Sequence, residues 1–177
     1  MSRVLTSRLP AMESAEDEVD RLVGAWQRER PDLDVAPMHV LSRVTRLARH
    51  LDLARREAFA AHGLETWEFD VLSALRRAGE PYELSPGRLL RETMVTSGTM
   101  TNRVDRLTGK GLVERLPDRA DRRGVLVRLT PEGRSRVDSA LAGLLHHERR
   151  LLRGLSTDDR TPLGNLLRRV VAPFDAG

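Results

Sequence analysis

The sequence predicts a mainly α-helical fold that carries one small β-hairpin, and two observations lead to this prediction. Apolar residues recur at helical spacing along most of the 177 residues. Between residues 84 and 133 the pattern changes to a short helix, a tight connection, a second helix, a strand, an arginine-rich turn and another strand. This order of elements is typical of a winged helix-turn-helix, in which the hairpin is the wing.

Two helices are predicted ahead of that region. The first begins near Ser14, a good N-cap followed by acidic residues. Its apolar residues form one stripe, at Val19, Leu22, Val23 and Trp26. Prolines at 31 and 37 end it, and a second helix is expected over 37–62. We therefore expect a flexible tail over 1–12, an extra N-terminal helix with its linker over 13–35, and a long helix within 36–65.

The winged helix-turn-helix is predicted to cover residues 66–130. Helices are expected at about 66–78, 86–92 and 97–110, since Ser85–Pro86 and Thr96 are favourable helix starts and Gly111 is a favourable end. Strands are expected at about 112–117 and 124–130. In the second strand, Val125, Val127 and Leu129 show the period-2 alternation of a half-buried strand.

Residues 131–177 are predicted to form two further helices. Thr130–Pro131 starts a long helix that extends to about Arg153. Pro162 interrupts an otherwise good start at Ser156, so we expect the last helix to begin near Thr161. These helices carry more apolar residues than one small winged helix can cover: Leu141, Leu144, Leu151, Leu152, Leu163, Leu167 and Val171. We therefore expect 36–65 and 131–177 to form the interface of a homodimer.

Composition and charge narrow the class of protein. The chain has 30 basic and 26 acidic residues, and Lys110 is its only lysine. Arginine suits phosphate and base-edge contacts because its fork is planar and permanently charged. The absence of cysteine excludes disulfides and cysteine-ligated zinc. No apolar run approaches the ~18 residues of a membrane span, and no signal peptide is evident. We expect a cytoplasmic protein that has no membrane partner.

The helix predicted at 97–110 has two different faces. Met100, Val104 and Leu107 lie at i, i+4 and i+7 and are expected to pack inward. The opposite face carries short hydrogen-bonding groups, a glycine and one arginine: Ser97, Gly98, Thr99, Thr101, Asn102 and Arg106. Such side chains reach phosphates and base edges without filling a groove. Double-stranded DNA is the predicted partner.

The predicted wing tip reads PDRADRRG and gathers Arg119, Arg122 and Arg123 within a few residues. Unopposed guanidinium groups repel one another, so this cluster implies an anionic partner such as the DNA backbone.

Four short patterns mark this region, at Met100–Arg103, Lys110–Val113, Asp121–Arg123 and Val127–Gly133. In these patterns the chain is similar to the MarR family (multiple antibiotic resistance regulators), and the resemblance covers roughly residues 36–172. It implies a homodimeric winged-helix repressor or activator. By position, it implies that Gly98, Thr99 and Asn102 contact base edges, that Asp121 steadies the wing, and that Arg123 enters the minor groove.

A narrower resemblance, to the urate-responsive subgroup of this family, rests on Trp26, Asp70, Arg103 and Arg115. It implies a small anionic ligand such as urate or another purine. An indole would stack on the planar ligand, and an arginine would pair with its anionic edge. Repulsion would then move Asp70, and Arg103 would carry that movement to the recognition helix. A plain structural salt bridge between Asp70 and Arg103 is the alternative.

These observations predict a ligand-responsive repressor that binds a pseudo-palindromic operator. The alternative left open is a constitutive DNA-binding repressor or architectural protein without an effector. A protein–protein adaptor would leave the arginines of the wing without an anionic partner. The sequence contains no nucleophile elbow, phosphate loop or dinucleotide fingerprint, and the adjacent His146 and His147 would point apart on a helix. No catalytic residue, metal site or cofactor is therefore predicted.

Overall fold

The computed structural model describes residues 16–93, 96–118 and 124–175. Its helices are α1 (Glu18–Glu29), α2 (Pro37–Ala60), α3 (Thr66–Arg77), α4 (Pro86–Thr93), α5 (Ser97–Gly109), α6 (Pro131–Leu151) and α7 (Thr157–Asp175). Its strands are β1 (Glu83–Leu84), β2 (Val113–Pro117) and β3 (Val125–Leu129). The predicted fold class, mainly helical with a small hairpin wing, is confirmed. The tail predicted over 1–12 lies outside the described residues.

The sheet has three antiparallel strands in the order β1–β3–β2. Val127 of β3 lies opposite Leu84 of β1 and Arg115 of β2. The hairpin of β2 and β3 was predicted from the sequence, but β1 was not, because a strand of two residues is too short to show alternation. β1 joins the segment after α3 to the wing.

The described residues form two compact units, divided within α2 between His50 and Leu51. In the first unit, Val19 and Val23 of α1 pack with Val35 and Met38. The predicted start of this helix near Ser14 is wrong, since α1 begins at Glu18 with Asp17 as its N-cap. The Asp17 carboxylate accepts the N–H groups of Val19 and Asp20, and Asp20 accepts the N–H of Asp17 in return. This reciprocal cap fixes the start of the helix.

The second unit contains the winged helix and a single continuous core. That core joins residues of α2, α3, α4, α5, the sheet and α6, and its largest fully buried side chains include Phe59, Leu72, Leu75, Leu89, Met100 and Leu107. The Phe59 and Phe69 rings stack with their centres 4.0 Å apart. Aliphatic side chains fill most of the remaining space.

The C-terminal helices differ from the prediction in one respect. α7 begins at Thr157 and contains Pro162, so the predicted start near Thr161 is wrong. The Asp159 N–H donates to Ser156 Oγ, and the Ser156 N–H donates to the Asp159 carboxylate. This cap sets the start of α7, and Pro162 then removes a single backbone hydrogen bond from its second turn. None of the helices in the described ranges is long and apolar enough to cross a membrane.

Candidate nucleic-acid interface and adjoining cavity

α5 places the predicted reading residues on one exposed face. Met100, Val104 and Leu107 are buried against the core, as their spacing predicted. The opposite side of the helix is exposed and carries Ser97, Gly98, Thr99, Thr101, Asn102 and Arg106. We call this side the reading face. The helix therefore presents hydrogen-bonding groups to solvent along its N-terminal two turns, and this is the part of a recognition helix that contacts base edges.

The polar side chains on this face differ in whether they have hydrogen-bond partners within the protein. Thr101 Oγ1 donates to the Ser97 carbonyl oxygen over 3.2 Å, and the hydroxyls of Thr96 and Thr99 lie 2.9 Å apart. Within the described part of the chain, the Ser97 hydroxyl and the Asn102 amide have no hydrogen-bond partner. Asn102 therefore has its full set of donors and acceptors free for a ligand.

Arg106 is held by two groups at the start of α3. Its guanidinium donates to Glu65 Oε1 over 2.8 Å and lies 4.7 Å from the centre of the Trp67 ring. The Trp67 indole N–H donates to the other oxygen of Glu65, also over 2.8 Å. The indole hydrogen bond, and after it Arg106, lower the pKa of Glu65 below its ordinary value. Glu65 and Trp67 therefore orient Arg106 at the edge of the reading face.

Two cavities meet at Trp67 and Arg103. One has a volume of about 460 Å³ and is lined by Trp67, Gly98, Thr99, Asn102, Arg103 and Arg106, so it lies on the reading face itself. The other has a volume of about 630 Å³ and is lined by Arg56, Ala60, Leu64, Glu65, Thr66, Trp67, Asp70 and Arg103. We call the second one the α2–α3 cavity. Its volume is within the range of small-molecule sites.

The structure brings two of the four predicted ligand residues together. Asp70 and Arg103 line the α2–α3 cavity, but the Asp70 carboxylate pairs with Arg55 of α2 over 3.2 Å. Arg103 lies 5.4 Å from the centre of the Trp67 ring and has no carboxylate partner among the described residues. The alternative of a structural Asp70–Arg103 salt bridge is therefore not what the structure shows.

The other two predicted ligand residues belong to β2 and α1. Arg115 of β2 pairs with Asp105 of α5 over 2.8 Å and does not line the α2–α3 cavity. Trp26 belongs to the first unit, where it lies on α1 with 47% of its surface exposed. Of the predicted DNA contacts, Arg119, Asp121, Arg122 and Arg123 lie outside the described residues.

Trp67, Glu65 and Arg55 were not among the site residues predicted from the sequence. The sequence does contain a signal for Trp67, because this residue precedes Asp70 by three positions and so lies on the same side of α3. No comparable signal marks Arg55, because its approach to Asp70 depends on how α2 packs against α3.

The fold and the exposed face of α5 define a winged-helix DNA-binding protein, and comparisons with known proteins agree. The MarR family model matches residues 62–124. The transcriptional regulator PecS of Dickeya dadantii is 39% identical over 153 residues, which are 86% of this chain and 92% of that protein.

Solved structures show the same relationship. A cysteine-to-serine mutant of MarR from E. coli, complexed with operator DNA, has a TM-score of 0.63 and 29% identity, and covers 78% of this chain and 99% of its own. BpsR of Bordetella bronchiseptica, solved to explain how 6-hydroxynicotinic acid regulates its DNA binding, has a TM-score of 0.58 and 30% identity, and covers 75% of this chain and 90% of its own.

The chain belongs to the MarR family of winged-helix transcriptional regulators, and its similarity to PecS is consistent with the PecS-like subgroup. The family consists of DNA-binding regulators and not of enzymes.

Proposed function

We propose that this regulator binds a pseudo-palindromic operator as a homodimer, with α5 of each protomer in the major groove. The exposed face of α5 is the observation that carries the proposal, because it presents unengaged hydrogen-bonding groups over a firmly buried opposite face. The operator complex of the MarR relative supports the same mode of binding. Repression follows when the bound dimer blocks access to a promoter.

The homodimer is supported by apolar surface on the C-terminal helices. α6 exposes Leu141 and Leu145, and α7 exposes Leu166, Val170, Val171 and Phe174, the last with 83% of its surface in solvent. Exposed apolar residues in this number, placed along two helices, are typical of a protein–protein interface. A two-fold dimer would place its two α5 helices on half-sites about one helical turn apart.

A protection footprint tests the operator. Purified protein is incubated with the intergenic DNA next to its own gene, and protected bases are mapped by nuclease digestion. We expect two protected half-sites related by a two-fold axis and centred about 10 base pairs apart. A variant in which Asn102 and Thr99 are both alanine should lose this footprint at the same protein concentration. Uniform protection without half-sites would contradict the proposal.

We further propose that a small planar anion, urate or a related purine, binds in the α2–α3 cavity and weakens DNA binding. The cavity combines an indole, Trp67, with an arginine, Arg103, that has no carboxylate partner in the described ranges. A planar anion can stack on the first and pair with the second. The regulation of BpsR by 6-hydroxynicotinic acid, another small planar anion, supports this class of effector.

The same geometry supports a coupling to DNA. Arg103 is part of α5 and lines both cavities. An anion that pairs with Arg103 in the α2–α3 cavity therefore also acts on a side chain that borders the cavity of the reading face. Asp70 lies in the same cavity, where its charge opposes a bound anion. An effector shifts the equilibrium between the DNA-binding and the released conformation only by its difference in affinity for the two. The repulsion between Asp70 and a bound anion supplies such a difference in affinity. Roles for Trp26 and Arg115 remain predictions from the family resemblance.

A titration tests the effector. An operator complex is titrated with urate, xanthine and hypoxanthine, and DNA release is followed by fluorescence anisotropy. We expect Asp70→Asn to bind the anion but release DNA poorly, and the family resemblance predicts that Arg115→Ala keeps DNA binding with a blunted response. Arg153→Ala, which removes an exposed arginine outside the cavity, is the matched control. If no purine released the DNA at millimolar concentration, the proposed effector would be wrong and the protein would be a constitutive regulator.

A further inference from the structure

A buried carboxylate lies directly behind the recognition helix. Among the described residues, Glu68 of α3 is the one charged side chain that is completely buried, with 0% exposure. Its Oε2 accepts the N–H of Glu65 over 3.0 Å, which caps α3. Its Oε1 accepts no hydrogen bond of good geometry from the described part of the chain. A carboxylate removed from water in this way requires a compensating charge.

Lys110 supplies that charge. Its Nζ lies 2.6 Å from Glu68 Oε1, and it is the C-cap residue of α5. The ion pair therefore ties the C-terminal end of the recognition helix to the first turn of α3. One turn earlier on α5, Arg106 pairs with Glu65 of the same turn. The two pairs differ in kind, because the Arg106–Glu65 pair is exposed on both sides whereas Glu68 is fully buried.

We propose that Lys110 is a positioning residue for DNA recognition, which acts through Glu68 and without contacting DNA. The buried pair fixes the end of α5 opposite to the reading residues. With a rise of about 1.5 Å per residue, Asn102 lies about 12 Å along the axis from this anchor. A small change in the tilt of α5 at Lys110 therefore displaces Asn102 relative to a base edge. The inference rests on the proposed operator binding.

A different role for Lys110 would be a direct phosphate contact, since 40% of its side chain is exposed. The two roles differ in whether the contribution of Lys110 to DNA binding depends on Glu68. If Lys110 acts through Glu68, removing the buried charge removes the need for the ammonium. If Lys110 contacts a phosphate, its contribution is independent of Glu68 and appears in the salt dependence of binding.

A double-mutant cycle separates these roles. Operator affinity is measured by anisotropy over a range of salt concentrations for wild type, Lys110→Met, Glu68→Gln and the double variant, with only samples shown by circular dichroism to be fully folded. We expect Lys110→Met to weaken binding about tenfold, with an unchanged salt slope, and to do so much less in the Glu68→Gln background. Lys110→Arg should restore most of the affinity because it keeps the charge. Arg136→Met, which removes one positive charge from an exposed pair on α6, is the control.

Two results would overturn the proposal. One is wild-type affinity for folded Lys110→Met. The other is an equal loss in both backgrounds together with a salt slope reduced by about one, which assigns a phosphate contact. Amide hydrogen exchange gives a readout without DNA. Lys110→Met should speed exchange in α5 relative to α6, and Glu68→Gln should reverse this. If wild type bound no operator, the proposed function would fail, while the exchange data would still decide whether the pair holds α5.

Discussion

The Arg103 guanidinium lies 5.4 Å from the centre of the Trp67 ring, and these two side chains line both the α2–α3 cavity and the cavity on the reading face of α5. A group that enters the first cavity therefore meets the same side chains that border the second. This shared wall connects the α2–α3 cavity, the proposed effector site, with the exposed face of α5, the proposed DNA-reading surface.

The fluorescence of Trp67 should report effector binding. The chain has two tryptophans, so the Trp26→Phe variant isolates Trp67. We expect urate to quench the emission of this variant, because a stacked purine contacts the indole directly. In the Trp67→Phe variant, which keeps Trp26, quenching should be much weaker. Equal quenching of the two variants would place the ligand elsewhere.

Asn102 and Arg123 should contribute to DNA binding in different ways. Asn102→Ala should reduce the discrimination between operator and mismatched sequences more than the overall affinity, because an amide reads a base edge. Arg123→Ala, a prediction that rests on the sequence alone, should weaken operator binding by about 1–3 kcal/mol. Competition experiments with point-mutated operators measure both effects. If both variants kept wild-type affinity and discrimination at every salt concentration, the assigned reading surface would be wrong.

Gly133 should be intolerant of any side chain. A Cβ at this position of α6 would overlap with the carbonyl oxygen of Leu112 and lie 2.9 Å from its carbonyl carbon. Gly133→Ala must therefore move α6 away from the end of α5, at a cost of about 1–3 kcal/mol or more in the free energy of unfolding. Urea denaturation followed by circular dichroism measures this change.

Gly143 of the same helix provides the control. A Cβ there would meet its nearest neighbour, His62 Nε2, at an ordinary 3.6 Å. Gly143→Ala should leave stability unchanged or raise it by up to ~1 kcal/mol, since alanine favours helix over glycine. A loss of stability for Gly143→Ala equal to that of Gly133→Ala would contradict this packing.

Acid should loosen the start of α1 within a defined pH window. The backbone N–H of Asp20 and the guanidinium of Arg43 lower the pKa of Asp17 from its ordinary 3.8 to about 2. A carboxylate with a depressed pKa stabilises the fold fully above its unfolded value and loses this contribution as the pH falls through its folded value. The stabilisation should therefore be present above about pH 4 and disappear towards pH 2.

Hydrogen exchange in α1 between pH 4 and pH 2 measures this effect. Asp17→Asn should flatten the pH dependence while keeping the helix capped, because asparagine is also a good N-cap residue. Glu29→Gln, at the other end of α1, is the control and should leave the dependence in place. An unchanged pH profile in Asp17→Asn would show that the Asp17 carboxylate is not responsible.

Local patterns in the sequence predicted the elements that carry their own signal. The spacing of Met100, Val104 and Leu107 was sufficient to assign both faces of α5, because a helix of this kind has one buried stripe. Pro162 misled the prediction for α7, since a cap at Ser156 outweighs the loss of one hydrogen bond. The pairing of Asp70 with Arg55 and the burial of Glu68 could not be predicted, because each depends on the packing of elements distant in sequence.

The stoichiometry and specificity of operator binding test most directly whether a dimer reads DNA through its two α5 helices. Sedimentation with labelled DNA counts the protomers on the footprinted site, and anisotropy compares that site with a copy in which the half-site spacing is changed by five base pairs. We expect two protomers per operator and a preference of about a thousandfold or more for the native spacing. One protomer per site, or equal affinity for both spacings, would contradict a dimer that reads DNA through its two α5 helices.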